Sequence, residues 1–122
     1  MNITIDQKGA SKVAVVDSDE IVIGEVQDAL DLMASVSYNN EAYKLLIRKE
    51  NLTDDFFELR TKLAGDILQK FTNYGVKLAI VGDFSGYDSK SLRDFIYECN
   101  QGKQFFFLAD QAEALAALHS LG

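Results

Sequence analysis

Short apolar runs alternate along this chain with stretches of helical apolar spacing, and that alternation constrains the fold more than any other feature. Ile3 and Ile5 alternate with polar neighbours, as on a strand with one face against a core. Gln7-Lys8-Gly9-Ala10 offers a turn, and Val13-Ala14-Val15-Val16 follows as a strand apolar on both faces, so the two runs read as a hairpin. From Glu25 to about Val36, the residues Val26, Ala29, Leu30 and Met33 share one helical face, with Glu25, Asp28 and Asp31 off it. Ser37-Tyr38-Asn39-Asn40 closes that helix, Leu45-Leu46-Ile47 is a strand, and Arg48-Lys49-Glu50-Asn51 is its exit loop. Thr53 reads as the N-cap of a long helix reaching about Tyr74, with Phe56, Leu59, Leu63, Ile67 and Phe71 as its stripe. Glu58–Lys62 and Asp66–Lys70 are i,i+4 pairs on it, and Gly75 closes it. Lys77 to Val81 is the next strand and Gly82 to Asp88 a loop; Asp88 or Ser89 caps a helix with Leu92, Phe95, Ile96 and Cys99 on one face. Phe105 to Leu108 reads as a strand buried on both sides, and Asp110 opens a last helix with Ala112, Leu115 and Leu118 inward.

The order β-β-α-β-α-β-α-β-α predicts a single α/β domain over residues 1–122: an N-terminal β-hairpin, then repeated α-β units making a five-stranded, mostly parallel sheet with right-handed crossovers. A flavodoxin-like three-layer sheet, with helices on both faces, is the competing architecture, because the runs at 13–16 and 105–108 are apolar on both sides. With 122 residues the chain is long enough to bury one core without disulfides or a structural metal.

The charge is unevenly spread. The formal net charge is −7, yet no Lys or Arg falls between Lys12 and Lys44, a window holding Asp17, Asp19, Glu20, Glu25, Asp28, Asp31 and Glu41. Outside it, acids and bases balance at 12 each, so the net charge belongs to one segment. An acidic surface repels phosphate backbones, which argues against a nucleic-acid partner. A basic patch on another protein is the partner such a surface fits, through the helix near residues 25–36, and the long helix near residues 53–74 offers a face for a homodimer. One cysteine makes no intrachain disulfide, the N-terminus carries no charged-then-apolar leader, and no apolar run approaches the ~20 residues a membrane helix needs. Those features predict a cytoplasmic, membrane-free protein.

In open parallel sheets ligands bind beyond the carboxyl ends of the strands. Four acids fall there: Asp17, Glu50, Asp83 and Asp110. Converging, they would suit Mg²⁺ or Ca²⁺; as isolated residues they are helix caps. Thr53 and Ser85 are the hydroxyls placed for a phosphosite or an anion contact. A receiver-type phosphoacceptor site also needs a Lys after the last strand, where Ala109-Asp110 stands instead. The Gly82–Ser91 loop lacks the Gly-Lys pair of a P-loop, and no G-x-G-x-x-G occurs. Cys99 sits late in a helix on its apolar face, which predicts core packing. His119 is the single histidine, in a terminus expected to fray, so neither a zinc cluster nor a Ser-His-Asp triad is expected. Gly65 in the long helix implies close packing or a tolerated surface position.

The element order resembles that of the STAS fold of bacterial anti-sigma-factor antagonists and of the cytoplasmic ends of anion transporters. That family carries a phosphorylatable Asp-Ser-Ser/Thr-Gly stretch at the start of the second helix; this chain has Glu50-Asn51-Leu52-Thr53-Asp54-Asp55 there, without the glycine and the serine pair. Several specific strings also occur: Val26-Gln27-Asp28-Ala29-Leu30-Asp31-Leu32-Met33-Ala34, Lys49-Glu50-Asn51-Leu52, Leu78-Ala79-Ile80-Val81-Gly82-Asp83-Phe84-Ser85 and Ser89-Lys90-Ser91-Leu92-Arg93-Asp94-Phe95-Ile96. Together they resemble a bacterial family catalogued as domain of unknown function 4180. That resemblance implies a prokaryotic source and a STAS-like or related fold, and lends no activity. The expectation is a non-enzymatic regulatory or protein-interaction module with no cofactor. The alternative is a small-ligand or divalent-cation site, with an enzymatic role open to it, on the carboxyl edge.

Overall fold

In the computed structural model, which describes residues 1–121, β1 (Asn2–Lys8) and β2 (Ser11–Asp17) form the antiparallel hairpin. α1 (Val26–Asn40), β3 (Lys44–Arg48), α2 (Leu63–Asn73), β4 (Lys77–Val81), α3 (Lys90–Gln101), β5 (Phe105–Leu108) and α4 (Gln111–His119) follow. The five strands lie in the order β1-β2-β3-β4-β5, and every pair after the first is parallel. The α/β class and the five-stranded, mostly parallel sheet are as the alternation predicts.

Consecutive order has a consequence for the layers. Three right-handed crossovers that all step the same way place their helices on the same side of the sheet. One core accordingly joins Ala14, Val16, Leu45, Ile47, Leu78 and Ile80 to the apolar faces of α1, α2 and α3. The alternate residues of the same strands, Val13, Leu46, Ala79 and Phe106, face the other way and meet Ala114 and Leu118 of α4, with Leu115 and Ala117 packed alongside. Helices thus cover both faces, three against one. The strand order never reverses, unlike the flavodoxin-like 2-1-3-4-5, so the sheet has no switch point to open a crevice at its carboxyl edge.

The long helix at 53–74 is the main correction. Residues 54–57 and 59–61 are separate 3₁₀ turns, and α2 begins only at Leu63. Phe56 and Phe57 are both buried, edge to face at 5.1 Å, an arrangement that takes neighbouring side chains to one core. Thr61 Oγ1 donates to the carbonyls of Asp55 and Glu58, at 2.7 and 2.8 Å, which diverts those acceptors from a helix ladder. Lys62 then turns left-handed at φ 65°. Glu58 pairs with Arg60 rather than Lys62, and Asp66–Lys70 forms no ion pair among the described residues. No continuous helix spans 53–74.

Smaller differences have local causes. α1 runs one turn past Val36, to Asn40, because Ser37 and Asn39 bond back to Ala34 and Ser35 instead of breaking the helix. In α4 Ala114 and Leu118 are buried and Leu115 packs beside them as predicted, while Ala112 is exposed. Gly75 closes α2 at φ +67°, a conformation other residues rarely adopt. Gly65 faces open space and is a surface glycine.

Candidate functional site

The carboxyl edge carries all four predicted acids, and they go to separate local tasks. Asp17 ends β2 and is exposed; Glu50 is exposed in the 3₁₀ turn after β3. Asp83 Oδ1 accepts the Ser85 N–H at 2.9 Å and its O–H at 2.6 Å, and those two bonds hold the Asp83 carboxyl below its ordinary pKa. Asp110 caps α4 by accepting the Glu113 N–H at 2.8 Å. Among the described residues no three His, Cys, Asp or Glu side chains are grouped as a metal would need. Thr53 makes no side-chain cap bond at its 3₁₀ turn, and the Ser85 hydroxyl is engaged by Asp83.

What organises this edge is a residue whose sequence context reads as a loop. Asn51 is fully buried, the one polar residue among the described residues that is buried as a whole, backbone and side chain together. Its Oδ1 accepts the Arg48 N–H at 2.9 Å, and its Nδ2 donates to the carbonyls of Ser18 and Glu20 at 2.8 and 2.9 Å. Its own carbonyl accepts from Val22 and Ile23. The Arg48 guanidinium reaches the same loop, donating to the Ser18 carbonyl and pairing with Asp19 at 3.2 Å. The β2–α1 loop is thereby stitched to the exit of β3. Across the edge, Lys49 donates to the Asp83 carbonyl at 2.9 Å and lies 4.7 Å from the Tyr87 ring centre. Gly82 permits that approach, since a Cβ there would stand 2.6 Å from the Lys49 Cβ. Phe57 stacks on Tyr87 and Phe84 packs edge to face on Phe107, holding the β4–α3 loop down. The only pattern that marks Asn51 in advance is its place between the apolar β3 and Leu52.

The opposite, amino edge holds the densest polar chemistry. His119 does not fray: its side chain is 7% exposed. Nε2 lies 2.7 Å from Asp6 Oδ1 and Nδ1 lies 2.7 Å from Ser11 Oγ. Lys44 Nζ donates to Ser11 Oγ and to the Leu121 carbonyl, both at 2.8 Å. Partial burial, and then the charge of Lys77, lower the Lys44 pKa. Residues 108 and 113 positions apart meet here, so no local motif signals the cluster.

A third feature lies between α1 and the segments that lead into β3 and β4. A groove of about 440 Å³ has Leu30, Met33, Ala34 and Val76 in its lining, with Tyr43 and Tyr74 more than half exposed beside it. Asp31 of α1 stands at its lip, bonded only to Gln27. Of the seven acids between Asp17 and Glu41, Asp19 alone pairs with a cation among the described residues. Cys99 packs against the core but is only half-buried; that burial, helped by Glu98, pushes its thiol up to about 11, away from the reactive thiolate. No described helix is long and apolar enough to cross a membrane.

Comparison with known proteins adds a family and nothing finer. A family model described as a domain of unknown function, DUF4180, matches residues 8–118. No curated protein and no solved structure matches.

Proposed function

The chain belongs to that family of unknown function, and from this premise we propose that it is a non-enzymatic interaction module that docks a basic, amphipathic segment of a partner protein along α1. One observation carries the proposal: an apolar groove with a tyrosine rim lies directly against the acidic helix. Helix-in-groove recognition needs that combination, an apolar floor for affinity and a charged lip for register. Tyrosine is a favoured rim residue because it gives rigid apolar area with a polar tip. Among the described residues the acids of α1 lack cations of their own, so a Lys- or Arg-rich segment would meet charges that no ion pair there already holds. A STAS-like regulatory role is one form such a module could take, and its supporting feature is the element order.

The test places a photo-crosslinking residue at Ala34, in the groove, and at Glu113, on α4. In lysate of the source cells, crosslinks from position 34 are expected to map to a basic segment of one protein. They should weaken at 0.5 M salt, where the Debye length falls below about 5 Å, and in Asp31→Lys. Equal products from both positions, or crosslinks indifferent to salt and to Asp31→Lys, overturn the proposal.

A further inference from the structure

The amino-edge cluster opens into a cavity of about 390 Å³ on the α4 side of the sheet. Its lining includes Ser11 and His119, and three lysines: Lys8, Lys12 and Lys44. Glu41 is the only acid among its lining residues. In a chain of net charge −7 with 12 basic residues, three at one cavity is a strong local reversal of sign. Lys77 stands close enough to act on Lys44 as a fourth like charge. Three ammonium groups around one cavity make its local potential favourable to an anion.

The hydrogen bonds have a definite sense. A carboxylate only accepts, so the ring nitrogen facing Asp6 carries its proton and donates. In the neutral ring Nδ1 is then an acceptor, and it takes the Ser11 O–H. Ser11 Oγ meanwhile accepts from Lys44. Asp6 and His119 therefore hold the Ser11 hydroxyl in place beside an ammonium that has used two of its three N–H groups within the described residues.

We propose that this cavity is a binding site for a small phosphate monoester, its phosphate held by the third N–H of the Lys44 ammonium, which Ser11 positions, with Lys8 and Lys12 drawing it to the mouth. The cavity is several times the volume of a phosphate group, leaving room for a small organic moiety against Tyr43 and Ala10. Lysine binds phosphate as a point charge and does not require a glycine-rich loop, so the missing P-loop is no obstacle.

The experiment titrates phenyl phosphate, with acetate and sodium chloride as matched-ionic-strength arms, into the full chain and follows backbone amide NMR shifts. Phenyl phosphate should give saturable shifts confined to Ala10–Lys12, Glu41–Lys44 and the end of α4. Lys44→Met should weaken binding about tenfold or more, the loss of one charge-assisted contact, and Ser11→Ala severalfold. Lys12→Met, on the rim, should weaken it by a smaller factor and serves where Lys44→Met does not fold. Lys70→Met, on α2, should leave it unchanged. Shifts that spread over the surface, that acetate or chloride reproduces at the same concentration, or that Lys70→Met weakens as much as the cavity variants overturn the proposal.

Discussion

The two ends of the sheet use their polar residues in opposite ways. At the carboxyl edge several bonds are local: Asp83 to Ser85, Asp110 to Glu113, Arg48 to Asn51. The others, from Asn51 and Arg48 to Ser18 through Glu20 and from Lys49 to the Asp83 carbonyl, tie neighbouring loops together. At the amino edge the bonds join the hairpin to the last helix across more than 100 residues, and they leave a cavity beside them. The rule that sends ligands to the carboxyl edge depends on a reversal of strand order that parts two loops. A sheet in consecutive order lacks that parting, so its carboxyl-edge loops can pack on one another, as Phe57, Tyr87 and Phe84 do here. The polar chemistry then accumulates where α4 returns to the starts of β2 and β3.

The sharpest way to break this contrast is at Asn51. Asn51→Leu fills similar volume but leaves the Arg48 N–H and the Glu20 carbonyl without their side-chain partner, and the Ser18 carbonyl with the Arg48 guanidinium alone. Each orphaned group costs on the order of 1–3 kcal/mol, so a loss of about 3 kcal/mol is expected in urea unfolding, with exchange of the Val22 and Ile23 amides speeding up first. A loss under about 1 kcal/mol, the range of ordinary surface changes, would mean that the carboxyl edge is not held by this residue.

His119→Ala tests the other end and should cost less, about 1–2 kcal/mol, because Asp6 is half-exposed and water can replace one of the two lost bonds. Its mark should be regional. Amide exchange should rise across Gln111–His119 while α1 and α2 keep their protection, since α4 is alone on its face of the sheet. Uniform loss of protection would show that the two faces unfold as one unit and that His119 is no latch.

The fold was legible wherever a period ran unbroken. The strands at Val13–Val16, Lys77–Val81 and Phe105–Leu108 and the helix opened by Asp110 stand where the pattern puts them, because burial of alternate or i, i+3, i+4 positions leaves a direct trace in the sequence. At 53–62 the same stripe misled. Phe56 and Leu59 are spaced for a helix, but the adjacent Phe57 is also buried, and Thr61 takes the carbonyls a helix would use. Of the site, the four acids were placed on the correct edge, yet an edge position does not say whether carboxylates converge; that depends on loop paths, which Asn51 and the aromatic cluster set. The Asp6–His119–Ser11–Lys44 cluster had no trace at all, since it arises from three strand ends and a helix end brought together only by the closed fold.

The smallest effect is expected at Asp83, and it separates local from long-range polar bonding most cleanly. Its carboxyl is fully exposed and its pKa is lowered chiefly by the Ser85 hydroxyl and amide, with Lys49 a lesser contributor. A depressed folded pKa stabilises the native state above the unfolded value of about 3.8, and that contribution fades as pH falls from there through the folded value. Ser85→Ala removes the hydroxyl bond, so the Asp83 midpoint in a carboxyl NMR titration should move up toward 3.8, and the stability gap between the two proteins should close below that pH. The amide bond persists in the variant, so the midpoint should stop short of the ordinary value. Neither change should alter the amino edge: the shifts of Ser11, Lys44 and His119 should be the same in Ser85→Ala as in the parent, because nothing connects the two ends but the rigid strands between them. An unmoved Asp83 midpoint would remove the Asp83–Ser85 turn from the account, and a perturbed His119 would remove the independence of the two edges.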